Sequence, residues 1–357
     1  MSATATVARL WDVSLEVIAR AQTPAGGLLA ALDYPTYRYV WVRDGSFIAE
    51  AARVAGRRDL AAAFHAFVAR SVLDLARGRE PGSLTLPARF EADGRPDESG
   101  WPNFQLDGYG LWLWALGRQA QGQGLGPTER LAARTAAAYL ARRWPDPCFD
   151  PWEEGGATRP TATLAASVAG LHAAHGLLGP GPWSEALEAA RADLRAVGSR
   201  EGRLTKDVDG DAGVDAATLW AIAPLEVLSA DDPVATGTLA AVERQLGAPA
   251  VHRHLGDTYY GGGAWPLLSA LWGLGALRLG DPGRAAAALG WIRAAATNEG
   301  YLPEQTAEGL LDPASLAPWE AERGPVATPL VWSHAMFILL AHALGVVSPQ
   351  APERPDA

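Results

Sequence analysis

The sequence predicts an all-α protein, a closed double ring of about twelve helices, and three observations carry that reading. Stretches with helical periodicity fill most of the 357 residues, and convincing strand sequence is scarce. The periodic stretches come in consecutive pairs. Short links at 179–181, 229–231 and 280–282 alternate with long ones at 22–43, 78–107, 145–160, 199–213, 248–263 and 298–326. In such a ring the short links join helices at one end, while the long ones gather at the other and can build a site.

The first helix spans 3–21, with Val7, Leu10, Val13 or Ser14, and Val17 at helical spacing, and Pro24, Gly26 and Gly27 end it. A dense aromatic loop from Tyr34 to Gly45 leads into a helix at 44–56, broken by Gly56. The next, 59–77, places Leu60, Phe64, Phe67, Val68, Val72 and Leu75 on one face. Residues 78–106 have no sustained period, and an excursion of that length points to function rather than plain connection. Helices follow at 108–121, 129–144, 161–178, 182–198, 214–228, 232–247, 264–280, 282–297 and 327–345. Asp231-Asp232-Pro233 and Gly280-Asp281-Pro282 mark two of the starts, with Asp as cap and Pro in the first turn. Ala-Ala and Leu-Ala runs suit helices that are apolar round much of their circumference, as an inner ring requires. No Pro/Gly linker divides the chain, so 1–357 reads as a single domain, an (α/α)6 barrel with a loosely attached or disordered tail from about 348 to 357.

Composition narrows the function. Hydrophobic residues make up 48% and charged residues 20%, as in a folded protein. Thirty basic and 40 acidic residues give a net charge of -10, which argues against nucleic acid as a partner. The 14 Trp and 8 Tyr suit the apolar faces of sugars, although many will be core. Cys148 stands alone, so no intrachain disulfide or thiolate zinc cluster forms. Met1 to Thr6 lacks the pattern of a signal peptide and no run of 18 apolar residues occurs, so no membrane partner and a cytoplasmic location are expected.

Two links carry the chemistry. Phe149-Asp150-Pro151-Trp152-Glu153-Glu154-Gly155-Gly156 and Gly300-Tyr301-Leu302-Pro303-Glu304-Gln305 each set a carboxylate in an aromatic, turn-rich setting. A loop Glu is most often solvated surface, but two such groups brought together are what glycoside hydrolysis needs, one protonated and one ionised. Asp44 and Asp107 could each do no more than cap the helix beginning there. Gly261-Gly262-Gly263 does not read as a phosphate nest, because no strand precedes it and no Gly-Lys-Ser/Thr follows; close backbone approach beside Tyr259 and Trp265 accounts for it better. His172, His175, His252, His254 and His334 are scattered, so no metal or other cofactor is implied. Asp207, Asp209 and Asp211 alternate as in a calcium loop, but Thr218 stands where the terminal Glu belongs, which leaves a solvated turn.

Assembled in order, these stretches resemble the glucoamylase-like inverting glycoside hydrolases, the family of glucoamylase, glucodextranase and some bacterial trehalases. The resemblance spans roughly 10–345 and rests on Tyr39 to Gly45, Trp101 to Asp107, Phe149 to Glu154, Asp257 to Trp265 and Tyr301 to Gln305, followed by Trp332-Ser333-His334-Ala335. It implies that Glu153 is the general acid and Glu304 the general base. It implies that Arg43 and Asp44 hold hydroxyls of the non-reducing glucose, that Trp41 and Trp101 wall the pocket, that Arg253 binds substrate, and that Glu154 lies near the leaving sugar. Asp107, Trp152, Tyr259 and Trp265 complete the expected substrate contacts. The residues alone leave open whether Glu153 or Glu154 donates the proton.

The expected activity is release of β-glucose from the non-reducing end of short α-glucosides, with a catalytic water as co-reactant and no cofactor. Isomaltose or small isomalto-oligosaccharides come first, α-1,4 maltooligosaccharides and trehalose after. Inversion calls for carboxyl groups roughly 6.5–9.5 Å apart, and Trp152 and Glu154 are expected to raise the pKa of Glu153. The chain lacks room for the β-sandwich that precedes the barrel in many bacterial relatives, which speaks against a long polysaccharide. A non-catalytic sugar-binding or regulatory toroid would have lost a carboxylate, and a sugar epimerase would use histidines. Oligomeric state is left open.

Overall fold

Helices that must bury their whole circumference need neighbours on every side, and a closed ring supplies them. In the computed structural model, which describes residues 6–79, 83–209 and 213–347, six inner segments meet in succession. They are α2 (Val42–Val54), α4 (Asp107–Ala120), α6 (Thr161–Leu178), a 3-10 segment Ala216–Ala221, α9 (Pro266–Arg278) and α12 (Val331–Ala343), with α12 packing back on α2. Outside them lie α1 (Val7–Ala21), α3 (Arg58–Ala76), α5 (Pro127–Arg143), α7 (Pro182–Glu201), α8 (Pro233–Leu246) and α10 (Pro282–Ala295). This is the expected (α/α)6 toroid.

Burial follows the two rings. Every residue of α9 from Pro266 to Ala276 is buried, as is every residue of α12 from Val331 to Ala341. The outer helix α10 buries one stripe, Ala285, Ala288, Leu289 and Ile292. The middle of the ring is packed rather than open. Phe47 lies 5.4 Å from Trp332, 5.6 Å from Trp220 and 6.0 Å from Trp114, centroid to centroid. Asp232 and Asp281 cap α8 and α10 with Pro at the next position, as their sequence signals predict.

Several elements differ from expectation. The span 214–228 is not an α-helix. Asp215 caps a 3-10 segment through the Ala217 N–H, and Pro224, which has no N–H to donate, stops an α-helix from running through. The link 298–326 contains a short helix, α11 (Leu316–Arg323). Two small antiparallel pairings also appear: β1 (Val40–Trp41) with β2 (Arg89–Phe90), and β3 (Cys148–Phe149) with β4 (Gly155–Thr158). Of the expected solvated turn, Asp207 is buried, Asp209 is exposed and pairs with Arg159, and Asp211 lies outside the described residues. The expected tail at 348–357 also lies outside them. Among the described residues no helix is long and apolar enough to cross a membrane.

Backbone meets backbone closely where α4 crosses α6. A Cβ on Gly110 would stand 2.3 Å from the Ala166 carbonyl oxygen, and one on Gly170 would stand 2.5 Å from the Gly110 Cα. Gly110→Ala is therefore expected to destabilise the fold by about 1–3 kcal/mol or more through overpacking. Gly176→Ala, in open space on the same α6, should be neutral or gain up to about 1 kcal/mol from helix propensity. Thermal melts of the two variants should move in opposite directions or at least separate clearly.

Candidate active site

Five of the six long links meet at one cavity of about 380 Å³, contributing Tyr37, Trp101, Glu153, Arg253 and Glu304 among others. The sixth, 199–213, reaches it indirectly through Lys206. Eleven of the twelve residues expected at the site line the cavity; Asp107 does not. It lies fully buried behind Arg43, where its carboxylate accepts from Arg43 Nη1 (3.2 Å) and the Gly108 N–H (2.8 Å). Its place is under the cavity, as a support of Arg43.

Glu153 is presented by the β3–β4 hairpin. The Asp150 carboxylate accepts the backbone N–H groups of Trp152 (2.9 Å) and Glu154 (2.8 Å), winding the turn tightly around it. Glu153 itself takes φ of 70°, a left-handed backbone that costs a non-glycine residue of order 1–3 kcal/mol. Glu153 Oε1 then accepts from Trp41 Nε1 (2.6 Å) and Gln105 Nε2 (3.1 Å), with Arg43 at 3.7 Å. Trp152, expected to desolvate Glu153, and Glu154, expected to repel it, are both engaged elsewhere. Trp152 donates its indole N–H to Asp215 (2.8 Å), and Glu154 faces cations.

Arg43 is the hub of the floor. Its guanidinium donates to Gln105 Oε1 (2.6 Å) and Asp107, and pairs with Asp44 (3.4 Å). Asp44 is not the cap: Trp41 holds that position, α2 begins at Val42, and Asp44 sits in its first turn. Asp44 is raised to about 7, chiefly by burial, with Arg43 pulling it down and Glu153 and Asp107 adding to the rise.

Glu154 occupies a cationic corner. Burial would raise its pKa, but His254 (3.1 Å), Arg253 (3.4 Å) and Lys206 (3.8 Å) outweigh that and hold it down at about 2. Arg253 also forks onto Asp257 and lies 5.2–5.4 Å from the rings of Trp152, Tyr259 and Trp265. Glu154, His254 and Asp257 approach within 4.8 Å of one another, yet both carboxylates already face Arg253, a setting that repels a further cation.

Glu304 is nearly enclosed, 3% exposed. The last inner helix holds its loop. Ser333 Oγ donates to the Pro303 carbonyl (2.8 Å), and His334 Nε2 accepts the Leu302 N–H (2.9 Å). That acceptor role puts the His334 proton on Nδ1, facing Ser14 Oγ at 2.8 Å. Burial pushes Glu304 up to about 8, with the Tyr37 hydroxyl, Arg253 and the Tyr259 hydroxyl pulling back and Asp44 adding repulsion. Tyr37 and Tyr259 share a hydroxyl–hydroxyl bond of 2.5 Å. Gly263 approaches as closely as its sequence implied: a Cβ there would stand 2.0 Å from the Thr306 carbonyl oxygen.

The sequence pointed to no role for Tyr37, Gln105, Lys206 or His254; within the link 305–326, expected beside the leaving sugar, it is Trp319 and Arg323 of α11 that line the cavity. Gln105 could have been found within the Trp101–Asp107 segment; Lys206 carries no local signal at all.

Comparison with known proteins agrees with this geometry. The model of glycosyl hydrolases family 15 matches residues 12–272. A protein named isomaltose glucohydrolase, from Kribbella flavida, is 39% identical over 97% of this chain and 96% of its own length. The structure of a wild-type glycosidase superposes with a TM-score of 0.87 at 38% identity, covering 96% of this chain and 98% of that one. A variant glycosidase solved in complex with glucose gives the same TM-score at 37% identity. The glucoamylase of Saccharomycopsis fibuligera shares the fold, with a TM-score of 0.72 at 15% identity over 95% of each chain. The chain belongs to glycosyl hydrolases family 15.

Proposed function

We propose that this single catalytic domain is an inverting, exo-acting α-glucosidase that releases β-glucose from short α-1,6-glucosides, isomaltose foremost. The observation that carries the proposal is the convergence of Glu153 and Glu304, from links some 150 residues apart, on one small cavity walled by tryptophans. The likeness to isomaltose glucohydrolase supports the linkage. The sole cysteine, Cys148, is buried and free, which suits a reducing cytoplasm where short imported glucosides are met.

In this reading Glu304 takes a proton from water as the water oxygen attacks the anomeric carbon. The glycosidic C–O bond breaks, and Glu153 gives its proton to the leaving oxygen. Glu304 Oε2 has no hydrogen-bond partner among the described protein groups and so can receive the water's proton. At Glu153 both N–H donors go to Oε1, leaving Oε2 to carry the donated proton. Arg43 and Asp44 recognise the terminal glucose through charge-assisted hydrogen bonds. Trp101, Glu154 and the α11 side chains Trp319 and Arg323 read the leaving sugar and hence the linkage.

Glu304→Gln should cut kcat by roughly 10²–10⁴-fold, the usual share of general-base catalysis, while leaving substrate binding in place. Glu153→Gln should damage isomaltose hydrolysis far more than hydrolysis of α-glucosyl fluoride, whose leaving group needs little protonation. Proton NMR of fresh product should show β-glucose first; α-glucose first would overturn inversion. A comparison of kcat/KM on isomaltose, maltose, trehalose and soluble starch should rank isomaltose highest. A maltose preference would overturn the α-1,6 assignment, and a starch preference the small-substrate reading.

The pH profile tests the base separately. Because burial raises Glu304, the acidic limb of kcat/KM, which reports the free enzyme, should lie above the ordinary carboxylate range. The Tyr37 hydroxyl lowers that pKa, so Tyr37→Phe should move the limb to still higher pH. An unmoved limb would separate Tyr37 from the base.

A further inference from the structure

The long link 78–107 supplies Trp101 and Gln105 to the site, yet its strand β2 has no part in the chemistry so far. Arg89 on β2 is the direct cross-strand partner of Trp41 on β1. Its guanidinium lies 3.8 Å from the ring centroid of Trp101, 4.0 Å from Tyr39 and 4.7 Å from Trp41. The side chain is only 2% exposed and does not line the cavity. Nε pairs with Asp97 at 2.7 Å and Nη2 donates to Ser99 Oγ at 3.1 Å. Asp97 in turn is fixed by the Ser99 N–H and hydroxyl, both at 2.9 Å. A buried cation, anchored from one side, therefore has three aromatic rings drawn round it on the other.

Two of those rings are the walls of the pocket, and one of them holds the proposed proton donor. Trp41 and Trp101 meet edge to face at 6.0 Å, a geometry that positions indoles firmly. Trp41 Nε1 donates to Glu153 at 2.6 Å, and Glu153 sits on a left-handed backbone that its surroundings must hold in place. We propose that Arg89 is a positioning residue for Glu153: by gripping the ring of Trp41 from behind the pocket wall, it keeps the indole N–H aimed at the carboxyl group. The inference rests on the reading of Glu153 as general acid. Only arginine meets the requirement in full, because its planar guanidinium can bond Asp97 and Ser99 along its edge and still present its faces to rings, whereas the ammonium of lysine is a point charge.

The test measures kcat and KM for isomaltose and for α-glucosyl fluoride in Arg89→Met, Arg89→Lys and Asp97→Asn, with Glu153→Gln alongside. A poorly aimed acid slows only the substrate that needs a proton, while a loss of folded protein slows both alike. Arg89→Met is expected to lower kcat on isomaltose about ten- to a hundredfold and to change it less than about threefold on the fluoride, with Arg89→Lys in between. Should Arg89→Met fail to fold, Asp97→Asn, which loosens the guanidinium but keeps it, decides the matter with a smaller shift of the same ratio. Equal losses on the two substrates, in whichever variant folds, would overturn the role of Arg89. If Glu153→Gln itself fails to spare the fluoride, the acid assignment falls and takes the inference with it.

Discussion

One largely buried guanidinium faces three carboxylates at the floor of the cavity, and much of this structure serves to make that arrangement tolerable. Arg43 neutralises part of the charge of Asp44, Asp107 and Glu153, yet a buried ion cluster of this kind gives little net stability. Removing the arginine would leave acids uncompensated in low dielectric, at a cost of several kcal/mol. The cluster joins the starts of α2 and α4 to the β3–β4 hairpin, so three distant parts of the chain are tied at the floor of the pocket. The geometry of the cavity and local packing are one set of contacts here.

The ring architecture eases the electrostatic load. Each of α2, α4, α6, α9 and α12 starts immediately after a long link, so the links that build the cavity lead into the N-terminal ends of inner helices. Those ends carry partial positive charge and unpaired N–H groups, which favour anions. Asp44 and Asp107 both lie in first turns. A site built from acids therefore lies at the end of the toroid where backbone dipoles suit acids, in a chain whose net charge is already -10.

The ring and the location of the site were legible because both depend on local signals. Periodicity shows helices, capping Asp-Pro pairs show starts, and link lengths show which end is crowded. What stayed hidden depends on contacts across long separations. Trp41 reaches Glu153 over 112 positions and Arg43 reaches Gln105 over 62. β1 and β2 are two residues each, too short to show a period, so nothing local set Arg89 against Trp41. Asp107 was legible as a helix-start residue but not as a support for Arg43, because the two functions ask for the same side chain at the same position. The span 214–228 misled for a plainer reason: its apolar run outweighed the break at Pro224.

His334 has an implication for acid tolerance. Burial depresses its pKa to about 3, so the folded state favours the neutral ring, the form that can accept the Leu302 N–H. An unfolded chain takes up that proton near 6.5. The stabilisation from this residue is thus whole above about 6.5 and drains away as the pH falls towards 3, as it does for the equally buried His65. Souring of the surroundings would then work through the fastening of the Glu304 loop, and a histidine that never touches sugar would help to set how acid a compartment the enzyme can endure.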